Sequence, residues 1–130
     1  MISILIPAYN FNITNLIEDI HKQIKLTKNE FEIICIEDGS TKTFSNANII
    51  NLNNVTYIHL KKNIGRSKIR NLLAKTAKFN WLLFIDCDSE INNNFINNYI
   101  NKKIDKKKIY YGETVYQKKT HYHGGSLFVD

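Results

Sequence analysis

Four short apolar runs constrain this chain most: residues 2–6 (ISILI), 31–36 (FEIICI), 55–60 (VTYIHL) and 81–85 (WLLFI). Each is too short for an ordinary helix, and the first three are rich in β-branched residues, so all four read as buried strands. Ile13, Leu16, Ile17, Ile20 and Ile24 recur at helical spacing between the first two runs. Ile69, Leu72, Leu73, Thr76 and Ala77 mark a second amphipathic helix, and Phe95, Ile96, Tyr99 and Ile100 a third. Pro7 is expected to end the first strand, and Asn12 or Thr14 to cap the first helix. Asn-rich residues 45–54 read as loop with room for a short helix, and residues 109–116 and 126–129 as two further strands. Continuous apolar strands alternating with amphipathic helices predict an α/β fold, a mostly parallel sheet flanked by helices on both faces. A length of 130 residues and a hydrophobic content of 43% fit one domain with a real core.

Ligands of such sheets bind beyond the carboxyl ends of the strands. Three predicted strands end in residues that carry chemistry: Pro7, Ala8, Tyr9 and Asn10; Glu37, Asp38, Gly39 and Ser40; Asp86, Cys87 and Asp88. A parallel sheet places all three groups along one edge. Asp86 and Asp88 stand two apart, which on a strand points both carboxylates the same way. Paired carboxylates are hard oxygen ligands for Mg²⁺ or Mn²⁺; they also serve as turn and cap acids before a helix. Asp38 with Gly39 is a turn signal, and its carboxylate is also an acceptor for a ligand N–H group. In NIGRSKIRN, residues 63–71, Gly65 permits a tight turn into a helix, and Arg66, Lys68 and Arg70 bring positive charge to its first turns. A helix N-terminus attracts anions; a solvated basic face is the plainer reading.

In combination the segments SILIPAYN, EIICIEDGS, NIGRSKIRN and WLLFIDCDSE resemble, in order and spacing, the nucleotide-sugar-binding half of family 2 glycosyltransferases. The resemblance is close over residues 2–91. It implies a GT-A fold, incomplete at its C-terminal acceptor half, as a single truncated domain over 1–130. HGGSLFVD at the C-terminal end is similar to the strand entry that opens the acceptor half. The implied activity is metal-dependent transfer of a sugar from a nucleoside diphosphate, UDP above all, to an acceptor hydroxyl with inversion, in cell-surface polysaccharide or glycoconjugate synthesis. Pro7, Ala8, Tyr9 and Asn10 match the loop closing over the nucleoside. Asp38 matches the acid that reads a uracil-type base, with Glu37 beside it. Arg70, following Gly65, matches the basic residue of the base and phosphate pocket. Asp86 matches the acid near the ribose and Asp88 the holder of Mn²⁺ or Mg²⁺, with Asp86 a further candidate ligand. Ser89 stands where many members have a third acid. The family's general base lies in the acceptor half, so the catalytic residue is unassigned. The alternative is a non-catalytic nucleotide-sugar-binding module.

Other classes fit less well. A haloacid-dehalogenase-type phosphatase wants Thr or Val at position 90, which is Glu90, and a nucleotidyltransferase wants a Gly-rich loop where PAYN stands. The net charge of +6 suits an anionic partner or a Lys-rich composition without functional meaning; the basic residues are scattered, and no nucleic-acid recognition motif is present. The run KKIDKKK, residues 102–108, reads as a solvated loop that can also meet phosphates or lipid headgroups, and His121 and His123 as two residues of an exposed strand face or, less simply, a metal ligand. No apolar run approaches the roughly 18 residues of a membrane span, and no signal peptide heads the chain. Cys35 and Cys87 fall in predicted strands as buried reduced thiols. The setting expected is cytoplasmic, with peripheral association at the inner face of the membrane.

Overall fold

The computed structural model describes residues 1–42, 44 and 47–101. The expectations for residues 102–108, 109–116, 121, 123 and 126–129 lie outside the described residues. The elements are β1 (Ile2–Ala8), α1 (Thr14–Leu26), β2 (Phe31–Glu37), α2 (Ala47–Ile50), β3 (Val55–His59), α3 (Arg66–Thr76), β4 (Leu82–Phe84) and α4 (Phe95–Ile100). The strands form one sheet in the order β3-β2-β1-β4, and every pairing is parallel. Both neighbours of β1 are reached by helical crossovers, so the sheet reverses its winding at β1, between β2 and β4.

Alternation along each strand sorts the side chains onto two faces. Ile4, Ile6, Ile33, Cys35 and Leu83 meet α1, α2 and α4 on one face, and Leu5, Ile34 and Ile36 meet α3 on the other. The five apolar positions expected of the first helix are all buried in α1 or at its head. In α3 only Ile69 and Leu73 are buried; Thr76 is exposed, and its hydroxyl donates to the Leu72 carbonyl instead. Gln23 of α1 spans to the head of α4, donating to the Asn92 carbonyl at 2.8 Å and accepting the Ile96 N–H at 3.1 Å. It thus supplies the acceptor that no cap residue of α4 provides. His21, also buried on α1, donates through Nε2 to the Asn53 carbonyl at 3.0 Å, since a carbonyl can only accept.

Two boundaries differ from expectation. Pro7 does not end β1; it pairs with Ile36, and the strand runs on to Ala8. The Ser3 amide and the Leu5 carbonyl both bond toward the β4 side, so the odd residues of β1 face that neighbour. The β4 ladder stops at the Leu5–Phe84 pair. The N–H that Pro7 lacks therefore falls where no strand remains to accept it. For the same reason β4 is shorter than WLLFI, with Trp81 and Ile85 just outside it, although Ile85 still donates to the Leu5 carbonyl at 3.0 Å. The first helix starts at Thr14 with Ile13 in the cap position; Asn12 accepts the Thr14 N–H through its side chain at 3.1 Å.

Leu73 is fully buried between α3 and the sheet. Leu73→Ala is expected to cost about 2–5 kcal/mol in chemical denaturation, whereas Lys75→Ala, on the exposed side of the same helix, should stay within about 0.5 kcal/mol.

Candidate nucleotide-sugar site

Because all four strands run the same way, their carboxyl ends meet at one edge, and direct bonds tie the first two of the three predicted groups of residues together there. The Asp38 N–H donates to the Ala8 carbonyl at 2.8 Å. The Asn10 N–H donates to Ser40 Oγ at 2.9 Å, and Asn10 Oδ1 accepts the Thr41 and Lys42 amides at 2.7 and 3.0 Å. Asn10 has a φ of 50°, a left-handed conformation that Asn tolerates better than most residues. Its amide is therefore committed to stitching the β1–α1 loop to the loop after β2. The chain's sequence offers Ser40, Thr41 and Lys42 as partners, a role visible in hindsight only as a polar run after the Asp-Gly turn. Tyr9, by contrast, is half exposed at the rim.

Glu37 is the last residue of β2, and Asp38 just beyond it turns toward the head of α3. Asp38 is only 5% exposed, and its two carboxylate oxygens accept the Ile64 N–H at 2.7 Å and the Gly65 N–H at 3.0 Å. The Asn63 side chain also donates to the Asp38 carbonyl at 2.9 Å. The anion at the head of α3 is thus the protein's own Asp38, which answers the electropositive helix end that has no acidic residue in its first turn. Gly39 makes this docking possible. Its φ is +69°, and a Cβ there would stand 2.3 Å from the Asn63 backbone nitrogen. Glu37 lies on the α1 side with Cys35. It is buried, and its Oε1 has no hydrogen-bond partner among the described residues. Burial first, then the Glu37 carboxylate and Cys87, push the Cys35 thiol well above the ordinary thiol range.

The two acids of D-x-D do not point the same way. They lie beyond the end of β4 in a turn, where strand alternation no longer applies. Asp86 accepts from Arg70 Nη2 at 2.6 Å, and the Arg70 guanidinium sits over the Phe84 ring at 5.3 Å. Asp88 instead lines a cavity of about 790 Å³ between the β1–α1 loop, the first turns of α1 and the 87–91 turn. Glu18, Asp19 and Glu90 line it with Asp88, and Phe11 and Phe44 add aromatic surface. Among the described residues no three His, Cys, Asp or Glu side chains gather to hold a metal ion by themselves. Cys87 is partly exposed at the cavity wall rather than buried in a strand, and both cysteines are free thiols.

The geometry places a carboxylate cradle, a basic side chain and an acid-lined cavity at the point where the sheet reverses, the usual position of a ligand site in open α/β sheets. Residues 3–126 match the domain described as Glycosyl transferase family 2. The chain belongs to that family. An uncharacterized glycosyltransferase of Rickettsia conorii is 39% identical over 89 residues, covering 67% of this chain and 14% of that protein. The poly(ribitol-phosphate) β-N-acetylglucosaminyltransferase TarS of Staphylococcus aureus (strain Mu50) is 34% identical over 97 residues, 69% of this chain and 16% of its own length. The crystal structure of TarS residues 1–349 with UDP superimposes with a TM-score of 0.64 at 30% identity, over 76% of this chain and 30% of that one. The complex with UDP-GlcNAc gives 0.60 at 28% identity with the same coverage. The fold is that of the TarS GT-A domain, and the chain spans less than a third of the length of these relatives. No helix of the described residues is long and apolar enough to cross a membrane.

Two outcomes check the site geometry. Gly39→Ala is expected to lose about 2–4 kcal/mol, because the left-handed φ and the backbone clash act together; denaturant midpoints measure it. Burial, ahead of the nearby Asp88 and Asp86 charges, raises the Cys87 pKa. Since only the thiolate reacts, iodoacetamide should label Cys87 slowly at neutral pH, with a rate still climbing beyond the range where a free thiol has levelled off. Mass spectrometry should find Cys35 unlabelled until the chain unfolds.

Proposed function

We propose that this chain binds the donor of a glycosyltransferase that moves a sugar from a nucleoside diphosphate, UDP by preference, to an acceptor hydroxyl with inversion. The observation that carries the reading is the joining of Asp38, the 63–65 loop, Arg70 and the Asp86–Asp88 turn at one sheet edge, in a family whose member TarS has been solved with UDP and UDP-GlcNAc. Each oxygen of Asp38 accepts one amide and retains a lone pair, so the carboxylate can still accept an N–H from a uracil-type base. Tyr9, with Pro7 and Ala8 behind it, offers an aromatic wall to the nucleoside. Glu37 supports the same edge from the opposite face.

Asp88 is a hard oxygen donor open to the cavity, and a Mg²⁺ or Mn²⁺ ion on a diphosphate needs only one or two protein carboxylates. The donor set fits such an ion, with Asp88 as its holder and Asp86 engaged by Arg70. When bound, the ion supplies positive charge to the diphosphate as it leaves. The remaining work of these residues is to bind and orient: Arg70 and Asp86 flank the nucleoside, and the acid-lined cavity next to Asp88 offers acceptors for sugar hydroxyls. Proton removal from the acceptor belongs to a general base that the family carries in its acceptor half. The expected acceptor is a glycan or related cell-surface polymer, handled on the cytoplasmic side with peripheral membrane contact.

Calorimetric titration of UDP with and without Mn²⁺ tests the reading. Binding should strengthen with the ion, and Asp88→Asn should weaken the ion-dependent part by about tenfold or more. Equal binding under all three conditions would refute donor binding at this edge. Slow release of sugar from UDP-GlcNAc, lost in Asp88→Asn, would mark catalysis; tight binding without any release would favour a binding module.

A further inference from the structure

The basic residues are spread along the sequence, but the fold gathers five of them at one corner of the carboxyl edge. Lys61 and Lys62 follow β3, and Arg66 and Lys68 open α3. The Lys62–Asn63 backbone packs directly against Gly39. Lys42 joins them from the loop after β2, where the Ser40 carbonyl accepts from His59 Nε2 at 3.2 Å. All five side chains belong to exposed residues, and none forms an ion pair among the described residues. The adjoining acids, Glu37 and Asp38, are both buried and leave the outer surface to the cations. Between Lys62 and Arg66 stands Ile64, an apolar residue 37% exposed. Across the edge the charge reverses. Glu18, Asp19, Asp88 and Glu90 line the cavity on the α1 side, with no basic side chain beside them among the described residues.

We propose that this corner, residues 61–68 with Lys42, docks on an anionic lipid surface. Each basic side chain brought close to such a surface raises partitioning by about fivefold. An exposed isoleucine among them adds an apolar contact at the headgroup boundary, which lysines alone lack. A soluble polyanion would engage the same cations but has no use for Ile64, and this favours the lipid surface. The acid-lined cavity is repelled by the same surface. The two fields therefore act together, turning the α3 corner toward the headgroups and the cavity toward water. The carboxyl edge then lies beside the bilayer, within reach of an acceptor held there. The inference deepens the peripheral contact proposed above by naming its surface, and it rests on that reading for what the docked edge does.

Flotation of the 130-residue chain with vesicles tests it. Vesicles of phosphatidylcholine mixed with phosphatidylglycerol should carry the chain, and phosphatidylcholine alone should not. Lys61→Gln with Lys62→Gln should lower partitioning by about twentyfold. Lys25→Gln with Lys75→Gln removes the same charge from the exposed last turns of α1 and α3, at the other end of the sheet, and should change it by less than about twofold. Ile64→Ser should lower it by about fivefold. Thermal midpoints of both lysine pairs should stay at the wild-type value. Equal losses in the two pairs would reveal a general response to net charge and overturn the proposal. Unchanged flotation after replacement of Lys61 and Lys62 would overturn it as well. So would binding of inorganic polyphosphate through those two lysines with none to vesicles. A UDP titration without vesicles keeps the two readings apart. UDP binding without flotation refutes the docking surface alone, and flotation without UDP binding refutes the donor site alone.

Discussion

The Asp38 carboxylate, caught between the Ile64 and Gly65 amides, is the contact on which the candidate site depends. Hydrogen bonds to a charged group are stronger than neutral ones, each worth about 1.5–3 kcal/mol. Here two of them act at the head of a helix, where the backbone already favours an anion. They fix where α3 begins, and the burial of Ile69 and Leu73 fixes how it lies on the sheet. Arg70 is then delivered to the far side of the edge, over Phe84 and onto Asp86. The order of cause runs from a turn after β2 to a turn after β4, through one helix.

A close backbone approach makes that chain of contacts possible. Gly39 lets the 62–63 segment lie where a side chain would stand. On the other flank Asn10 does comparable work with a side chain, using one carbonyl oxygen to hold two successive amides of the loop after β2. The rim of the site is therefore tied down at β1, β2 and α3, while Tyr9 and the Asp88 side of the cavity stay open to solvent. Rigid support beneath an accessible rim is the arrangement a binding site needs, since residues already in place lose less freedom when a ligand arrives.

Most of the fold was legible in the sequence because burial is periodic. The isoleucines of α1, the continuous apolar strands and the alternation of the two patterns left one arrangement open, a parallel sheet with helices on both faces. What the sequence misplaced depends on pairing. Pro7 looked like a strand end, and is tolerated within β1 because β4 has already stopped beside it. Asp86 and Asp88 looked parallel because strand geometry was extended two residues too far. Gln23 looked like an ordinary polar helix residue, yet it caps α4 across more than seventy residues of sequence. The residue types expected at the edge do gather there, but their partners were not written in local spacing.

The acid pair raises the question of what positive charge permits it, and part of the answer lies inside the protein. A divalent ion arriving with a diphosphate is one way to reconcile two neighbouring carboxylates. Arg70 is another, and it is already bonded to Asp86 in the free chain. Once Asp86 is compensated, Asp88 no longer needs a second acid beside it to make sense, and a serine at position 89 is compatible with the same economy of charge. A protein that binds a strongly anionic donor gains from this. Every carboxylate facing a diphosphate without a counterion raises the cost of approach, and at this edge one of the two acids is paired with a basic side chain while the other lines the cavity.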